Sequence, residues 1–253
     1  MQRLAEHIRL AGLSGNPVSI EPADFPPDEA AVVAIQDELF RLGSYVASGW
    51  KAGPPPDGMR DTGCAPLPSE WTYASPAVVK APGAPLLVES EFVLRFGYPI
   101  LPEAAPHSPL TIGAYIDAMA PGIELVWRRI SNPTGPETAL LHQCDSNGHA
   151  GMILGEWHKD WQRFDLANLS VTQYRNGAVH AEGNSNRTMG GNPLAVAAAL
   201  ANREARMGRA IPAGIWVTTG SCTGALEIQP GDIIRSEYGE LGSVDVKILP
   251  KTG

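Results

Sequence analysis

The chain has 253 residues, enough for one large domain or two small ones. Hydrophobic residues make up 43% of it and charged residues 18%, as in ordinary soluble globular proteins, and the net charge of −8 offers no basic surface for nucleic acid or an anionic membrane. No apolar run approaches membrane-spanning length, and Arg3, Glu6 and Arg9 interrupt any signal peptide, so we expect a cytoplasmic protein. The three cysteines form no CxxC pair, which predicts neither a disulfide framework nor a zinc site.

The first 50 residues indicate a small helical part. Residues 1–13 have a mixed amphipathic pattern, and Pro27-Asp28-Glu29 begins a second helix that continues to Phe40. Residues 51–68 then form a loop rich in proline and glycine. We therefore divide the chain into a helical N-terminal part, residues 1–50, and a catalytic domain, residues 51–253.

The segment 86–96 predicts a β-strand, because its apolar and polar positions alternate with period two. One face then carries the apolar side chains, and the other carries Glu89 and Glu91, roughly 6–7 Å apart along the strand. Like charges at that spacing need water or a cation to screen them. The pattern alone is compatible with a solvent-facing strand and with a cation site.

The rest of the chain predicts a mixed α+β protein with many strands and no internal repeat. Residues 111–119 indicate a short helix. Pro121-Gly122 would then form a turn that leads into a strand at 123–130. Asn192 and Pro193 are typical of the start of a helix, here the alanine-rich segment 194–207. Further strands are predicted at 150–155, 169–174, 178–182, 215–219 and 244–248.

Glu124 lies near the start of the predicted strand 123–130, 33 residues after Glu91. Three carboxylates without a nearby histidine or cysteine cluster would suit a hard cation such as Mg²⁺ or Mn²⁺. The alternative from spacing alone is that Glu124 forms a surface ion pair with Arg128 or Arg129.

Two further motifs are candidates for chemistry. Lys51 follows Trp50, and partial desolvation beside that ring would lower the lysine pKa and suit it to proton transfer. The segment 218–224 is dense in hydroxyls and glycines and could bind an anion such as a carboxylate, or form an ordinary hydrogen-bonded loop. The six histidines have no recognisable ligand spacing, and His142 and His149 are given no role.

Several motifs occur together in a characteristic order. After Lys51, Glu89-x-Glu91 and Glu124 come Gln143-Cys-Asp145-Ser-Asn-Gly, Gly191-Asn-Pro193, Thr219-Gly-Ser221-Cys-Thr-Gly, Pro-Gly-Asp232 and Leu241-Gly-Ser-Val. This order resembles the 2-keto-4-pentenoate hydratase (2-oxohept-3-enedioate hydratase-like) branch of the fumarylacetoacetate hydrolase superfamily. The resemblance extends over nearly the whole chain.

The resemblance implies a mixed β-roll with flanking helices and a Mg²⁺ or Mn²⁺ site formed by Glu89, Glu91 and Glu124. It also implies that Lys51 exchanges a proton with the enolate of a small 2-oxo acid or stabilises its charge. The substrate carboxylate would be held by three residues of the hydroxyl-rich turn, Thr219, Gly220 and Ser221. Relatives commonly form dimers or assemblies of dimers, so we expect a homo-oligomer.

Three departures from the family pattern concern substrate preference: Gly53-Pro54-Pro55-Pro56-Asp57 after the lysine, Trp127 in place of an acidic residue, and the segment 66–76. Where relatives place an acidic acid–base group, that segment offers only Glu70.

The leading prediction is a hydratase that forms a 4-hydroxy-2-oxo acid from a 2-hydroxydienoate. A 4-oxalocrotonate decarboxylase-like enzyme or an acylpyruvate C–C hydrolase could use the same glutamates. A non-catalytic partner subunit is a further alternative.

Overall fold

The computed structural model describes residues 2–53 and 63–251. The predicted loop 51–68 departs from expectation at both ends, because residues 51–52 and 64–68 belong to strands. The proline run 54–56 and Asp57 lie outside the described residues. Among the described helices, none has the length and apolar character to span a membrane.

The helices of the described chain are α1 (Gln2–Ser14), α2 (Glu29–Gly43), α3 (Pro109–Ile112), α4 (Ala139–Cys144) and α5 (Pro193–Arg206), with short 3₁₀ turns between elements. The strands are β1 (Ala47–Ala52), β2 (Cys64–Pro68), β3 (Thr72–Ala74), β4 (Ala77–Lys80), β5 (Leu86–Phe96), β6 (Ile116–Val126), β7 (His149–Leu154), β8 (Ser170–Arg175), β9 (Ala178–Asn184), β10 (Trp216–Thr218), β11 (Leu226–Ile228), β12 (Ile233–Glu237) and β13 (Ser243–Leu249).

These elements form the predicted mixed α+β fold. One sheet has the order β2-β1-β10-β5-β6-β7-β3, with β11 also paired to β5, and a second has the order β4-β13-β12-β8-β9. The first sheet is curled into a half-barrel: Ser48 on β1 and Thr72 on β3 lie near opposite ends of the strand order, yet their hydroxyl oxygens are 3.1 Å apart. This curl gives the sheet a concave face.

The alternation predicted for β5 is confirmed, and it separates two environments. Leu86, Val88, Phe92, Leu94 and Phe96 are all buried in the main hydrophobic core, which includes side chains of both sheets and α5. The opposite face of β5 carries Glu89, Glu91, Val93 and Arg95. Val93 belongs to a smaller apolar cluster with Leu67, Met152, Leu154 and Trp216.

The N-terminal helices pack together on a separate core. Asp28 caps α2 by accepting a hydrogen bond from the Ala31 N–H at 2.8 Å, as its place before the helix predicts. The buried residues that share this core come from α1, the segment after it, α2 and the chain around α4: Leu4, Ala5, Ile8, Ile20, Val32, Ile35, Ile130, Leu141 and Cys144. The proposed division at residue 50 stays a prediction, and β1 crosses it.

Two predicted elements between residues 109 and 130 are wrong. A helix at 111–119 is replaced by the single turn α3 and a 3₁₀ turn, after which β6 begins at Ile116. The strand passes through Pro121 and Gly122 without turning, and it ends at Val126 instead of Ile130. β6 therefore pairs with β5 along almost the whole length of both strands.

Candidate metal centre

Strand register brings three carboxylates together. In the antiparallel pair of β5 and β6, Glu89 lies directly opposite Glu124, and Glu91 lies opposite Gly122. Paired residues of neighbouring strands point to the same face, so all three glutamates share the concave face. One oxygen from each lies within 4.8 Å of the others, and no other such group of acidic, histidine or cysteine side chains occurs among the described residues.

The cluster is buried, in contrast to a solvent-facing strand. Glu91 and Glu124 are 0% exposed, and Glu89 is partly exposed. Burial, with the nearby charges of Glu124 and Glu89, raises the pKa of Glu91 well above its usual range. Burial also raises the pKa of Glu124, against the opposing effect of Lys51. A cation between the three carboxylates would relieve the repulsion between their negative charges.

Each buried glutamate has one oxygen bonded to the protein and one that is bare. Glu124 Oε1 accepts from Lys51 Nζ at 3.0 Å and from His149 Nδ1 at 2.8 Å. Glu91 Oε2 accepts from the Thr218 hydroxyl and from the Gly220 N–H, the latter at 2.8 Å. Within the described part of the chain, Glu91 Oε1 and Glu124 Oε2 have no hydrogen-bond partner.

This arrangement fits a hard divalent cation. Buried carboxylate oxygens without partners are costly unless something binds them, and carboxylate oxygens are the ligands that Mg²⁺ and similar ions prefer. The surface ion pair considered for Glu124 is not formed: Arg128 is exposed, and Arg129 pairs with Asp145.

Lys51 is brought to the cluster, with its Nζ also 3.7 Å from Glu89 Oε2. The expectation of a lowered lysine pKa is wrong. Burial acts in that direction, but Glu124, Glu89 and Glu91 outweigh it and raise the pKa of Lys51. Trp50 does not adjoin the ammonium group, because successive strand residues face opposite sides and Trp50 belongs to the main core. Lys51 is therefore a cation at this site.

His149 is a site residue that the sequence did not indicate. Its ring is 0% exposed and stacks on Trp71, with 6.2 Å between ring centroids. Burial lowers the pKa of His149 well below its usual range, and the charges of Lys51 and Arg129 act in the same direction. The ring is therefore neutral and donates through one nitrogen only.

A buried ion pair lies behind His149. The Arg129 guanidinium donates to Asp145 Oδ1 and to the His149 carbonyl oxygen, both at 2.8 Å. Its backbone N–H donates to Asp145 Oδ2 at 2.8 Å. The guanidinium carbon also lies 4.8 Å from the centroid of the Trp71 ring. Arg129 is thus held by Asp145 and packs against Trp71, so the two residues that contact His149 also contact each other.

The three residues predicted to hold a substrate carboxylate differ in what they offer. Thr219 donates its hydroxyl to the Phe92 carbonyl at 2.8 Å, and the Gly220 N–H is directed at Glu91. Gly220 has φ +96°, a conformation that glycine adopts without strain. Ser221 Oγ is buried and has no partner among the described residues. Of the three, Ser221 has the side chain available to a ligand.

Glu70 is not among the converging carboxylates. It lies exposed on the 3₁₀ turn 69–71, where its carboxylate accepts a hydrogen bond from the Ser69 hydroxyl at 3.2 Å. Its proposed acid–base role stays a prediction.

A separate cavity of about 280 Å³ lies between the N-terminal helices and the sheet. Its lining includes Trp71 and Arg129, but not Lys51, His149 or any of the three glutamates. The carboxylate cluster is therefore not part of this cavity.

No family model matches the chain. A 4-oxalocrotonate decarboxylase from Pseudomonas putida is 32% identical over 136 residues, which are 54% of this chain and 50% of the relative. The enzyme of the same name from a Pseudomonas species is 28% identical over 137 residues, 54% of this chain and 52% of that relative. The chain thus matches about half the length of these curated relatives.

The solved structures extend the likeness to the whole described fold. A 4-oxalocrotonate decarboxylase from Pseudomonas putida G7, complexed with magnesium and adipate, matches with a TM-score of 0.88 and 26% identity, covering 98% of this chain and 97% of the other. A Yersinia pestis CO92 protein assigned to the fumarylacetoacetate hydrolase family has a TM-score of 0.60 at 12% identity, covering 81% and 94%. The chain therefore has a fumarylacetoacetate hydrolase-like fold.

The same comparisons correct the functional prediction. They show a fold like that of a fumarylacetoacetate hydrolase family protein, as the motif order predicted, but they do not specifically indicate the hydratase branch. The prediction of a hydratase is wrong, because the curated relatives and the structural match over 98% of the chain are 4-oxalocrotonate decarboxylases. The three glutamates are compatible with either reaction, and so they did not separate a hydratase from a decarboxylase. Magnesium and calcium complexes of the Pseudomonas enzyme agree with a divalent-metal centre.

Proposed function

We propose that this protein is a divalent-metal-dependent decarboxylase of an unsaturated 2-oxo dicarboxylic acid of the 4-oxalocrotonate type. The observation that carries the proposal is the match over 98% of the chain to a decarboxylase complexed with magnesium, in a protein whose own glutamates converge with bare oxygens. The chain spans only half of the curated relatives in sequence, so the substrate is part of the proposal.

Glu89, Glu91 and Glu124 would hold Mg²⁺ or Mn²⁺ through the oxygens that lie within 4.8 Å of one another. When bound, such a cation orients the carboxylate and 2-oxo oxygens of the acid and stabilises negative charge on the 2-oxo oxygen. Thr218 and Gly220 keep Glu91 in place. The fixed carboxylates mean that little reorganisation is needed on binding.

Decarboxylation breaks the bond between the remote carboxylate and its neighbouring carbon. Carbon dioxide leaves, and the electron pair moves through the conjugated double bond to the 2-oxo oxygen, which gives a dienolate. Protonation of this dienolate yields a 2-hydroxydienoate. Lys51 is a cation on the same face as the cluster, and it would stabilise the dienolate charge or supply that proton.

The concave face next to the cluster is apolar. Val93 lies two residues from Glu91 on the same face of β5, and it clusters with Leu67, Met152, Leu154 and Trp216. Such a surface would exclude water from the remote end of the substrate. Ser221 offers its hydroxyl to a polar group of the acid.

The test is an assay with 4-oxalocrotonate and Mg²⁺ that follows carbon dioxide release and identifies the 2-hydroxydienoate product. We expect one carbon dioxide per substrate, and no release in EDTA or with Glu124→Ala. A matched control is Glu227→Gln, which removes an exposed carboxylate from β11, paired to β5, and should leave the rate unchanged. Two shorter acids as products, or turnover that survives EDTA, would contradict the proposal.

A further inference from the structure

His149 makes a single side-chain hydrogen bond within the described residues, and it goes to a metal-site glutamate. Its Nδ1 lies 2.8 Å from Glu124 Oε1, while Nε2 is buried with no partner in the described chain. An ionised carboxylate only accepts hydrogen bonds, so Nδ1 carries the hydrogen. The bond occupies Oε1 and leaves Oε2 of the same glutamate bare.

The imidazole ring is stacked on one face, and the backbone of His149 is held separately. Trp71 stacks on its ring at an interplanar angle of 29°, and Arg129 Nη2 donates to its backbone carbonyl at 2.8 Å. Arg129 is itself fixed by two hydrogen bonds to Asp145, which is 2% exposed. Burial, stacking and a fixed backbone together favour the rotamer in which the Nδ1–H is aimed at Glu124.

Lys51 is the other donor to Glu124 Oε1, but it is less specific. Its ammonium also lies 3.7 Å from Glu89 Oε2 and has a flexible four-carbon stem. The same group is the cation proposed to interact with the substrate. An orienting contact that persists through turnover therefore has to come from His149.

We propose that His149 is a positioning residue that fixes Glu124 so that Oε2 alone binds the cation. This inference rests on the metal site of the proposed function and goes beyond it, because it assigns the orientation of one ligand to a residue outside the carboxylate cluster. Outer partners of this kind typically contribute 10–100-fold to metal affinity. A glutamate free to rotate would bind the cation more weakly.

The experiment measures metal affinity directly, by titrating the metal-free protein with Mn²⁺ under electron paramagnetic resonance and with Mg²⁺ by calorimetry. We expect His149→Ala to weaken binding by about 10–100-fold. His149→Asn places an amide N–H near the position of Nδ1 and should recover most of the affinity. His149→Gln places its amide near Nε2 and should not recover it.

The matched control is His142→Ala, which removes another buried histidine, one whose Nε2 contacts the Asn132 carbonyl at 3.1 Å. It should leave metal affinity unchanged. At saturating Mg²⁺, carbon dioxide release by His149→Ala should recover, whereas a variant of the chemical step would stay slow.

Wild-type affinity in His149→Ala, or in His149→Gln but not His149→Asn, would overturn the inference. If His149→Ala does not fold, the comparison of the asparagine and glutamine variants decides the matter. A wild-type protein that binds neither ion would overturn both this inference and the proposed metal site. Metal binding without carbon dioxide release would count against the proposed reaction alone.

Discussion

Glu89 and Glu124 lie directly opposite each other on neighbouring antiparallel strands, so two carboxylates occupy one cross-strand pair. Like charges in this position destabilise a sheet. The strands nevertheless pair along almost their whole length. Lys51 Nζ, 3.7 Å from Glu89 Oε2 and 3.0 Å from Glu124 Oε1, offsets part of this repulsion, and a bound cation would remove more of it.

Replacing Glu89 with glutamine should separate folding from metal binding. In EDTA we expect Glu89→Gln to unfold at the same temperature as the wild type or higher, because one of the repelling charges is gone. Wild-type protein should gain about 2.7 kcal/mol at a Mg²⁺ concentration of 100 Kd, and the variant should lose most of this gain. Calorimetry with and without Mg²⁺ measures both effects. A variant that is less stable than the wild type in EDTA would show that the repulsion is unimportant.

Lys51→Met should impair turnover but not metal binding. The ammonium lies 3.0 Å from Glu124 Oε1, so it competes with a cation for the same negative charge. We expect Mg²⁺ affinity to stay the same or increase, and kcat to fall by about 10²–10³-fold through loss of charge stabilisation. Calorimetry and the carbon dioxide assay measure the two quantities. Unchanged kcat would remove Lys51 from the chemistry.

Ser221 and Thr219 should respond differently to loss of their hydroxyls. Ser221 Oγ has no partner in the described structure, so Ser221→Ala should leave the melting temperature unchanged and raise KM. Thr219→Val removes a hydrogen bond to the Phe92 carbonyl and should cost about 1 kcal/mol of folding free energy. Thermal unfolding and steady-state kinetics distinguish the two. A KM unchanged in Ser221→Ala would remove it from substrate binding.

Tyr238 connects the two glutamate-bearing strands from behind. Its hydroxyl donates to the Gly122 carbonyl of β6 and accepts from the Glu91 N–H of β5, which is 3.2 Å away. Tyr238→Phe leaves both buried backbone groups without this partner, and we expect about 1–3 kcal/mol of destabilisation by chemical denaturation. Tyr98→Phe, at a side chain that is 63% exposed, is the control and should be neutral. Equal stability of both variants would contradict the proposed connection.

Asp232 should make stability dependent on pH. Burial would raise its pKa, but hydrogen bonds from the Gln229 N–H and Asn176, with the Arg175 ion pair, outweigh burial and lower it. A carboxyl group whose pKa is lower in the folded state stabilises the protein above its unfolded pKa, about 4, and this contribution is lost as the pH falls through the folded value. Asp232→Asn should therefore destabilise the protein at pH 7, and the difference should shrink on acidification.

The control for Asp232 is Asp245→Asn, which removes a more exposed ion pair with Arg235. Exposed pairs contribute about 0–1 kcal/mol, so little change is expected. Denaturation from pH 7 to pH 3 measures both variants. A pH-independent difference between Asp232→Asn and the wild type would contradict the assigned cause.

Local patterns in the sequence predicted the best-defined elements. The alternation in 86–96 gave the limits of β5 and the face that carries Glu89 and Glu91. Asn192 caps α5 as expected, by accepting from the Leu194 N–H at 2.9 Å. These features depend on residues that are close together in the sequence. The alternation of apolar and polar residues and the helix-capping residues can therefore be recognised from the sequence alone.

The missed features depend on pairing between distant segments. Pro121-Gly122 is a common turn signal. In the structure, however, the Pro121 carbonyl faces β7 and accepts from the Gly155 N–H. The proline nitrogen therefore also faces β7, at a position just beyond the first β6–β7 pair. No ladder hydrogen bond is lost there, so the strand continues. His149 reaches Glu124 through the register of β6 and β7, and no sequence spacing between the two residues reports that register.

All three metal-site glutamates come from one pair of adjacent strands, whereas Lys51 and the turn with Ser221 lie on other parts of the sheet. Residues of these segments that do not contact the glutamates, such as Ser221, can therefore change without disturbing the cation-binding pair. Proteins of the same fold include a dienedioate isomerase from Mycobacterium marinum, with a TM-score of 0.58 at 17% identity. In this chain the proposed cation site and its surroundings can thus change separately, which is a physical basis for different reactions on one fold.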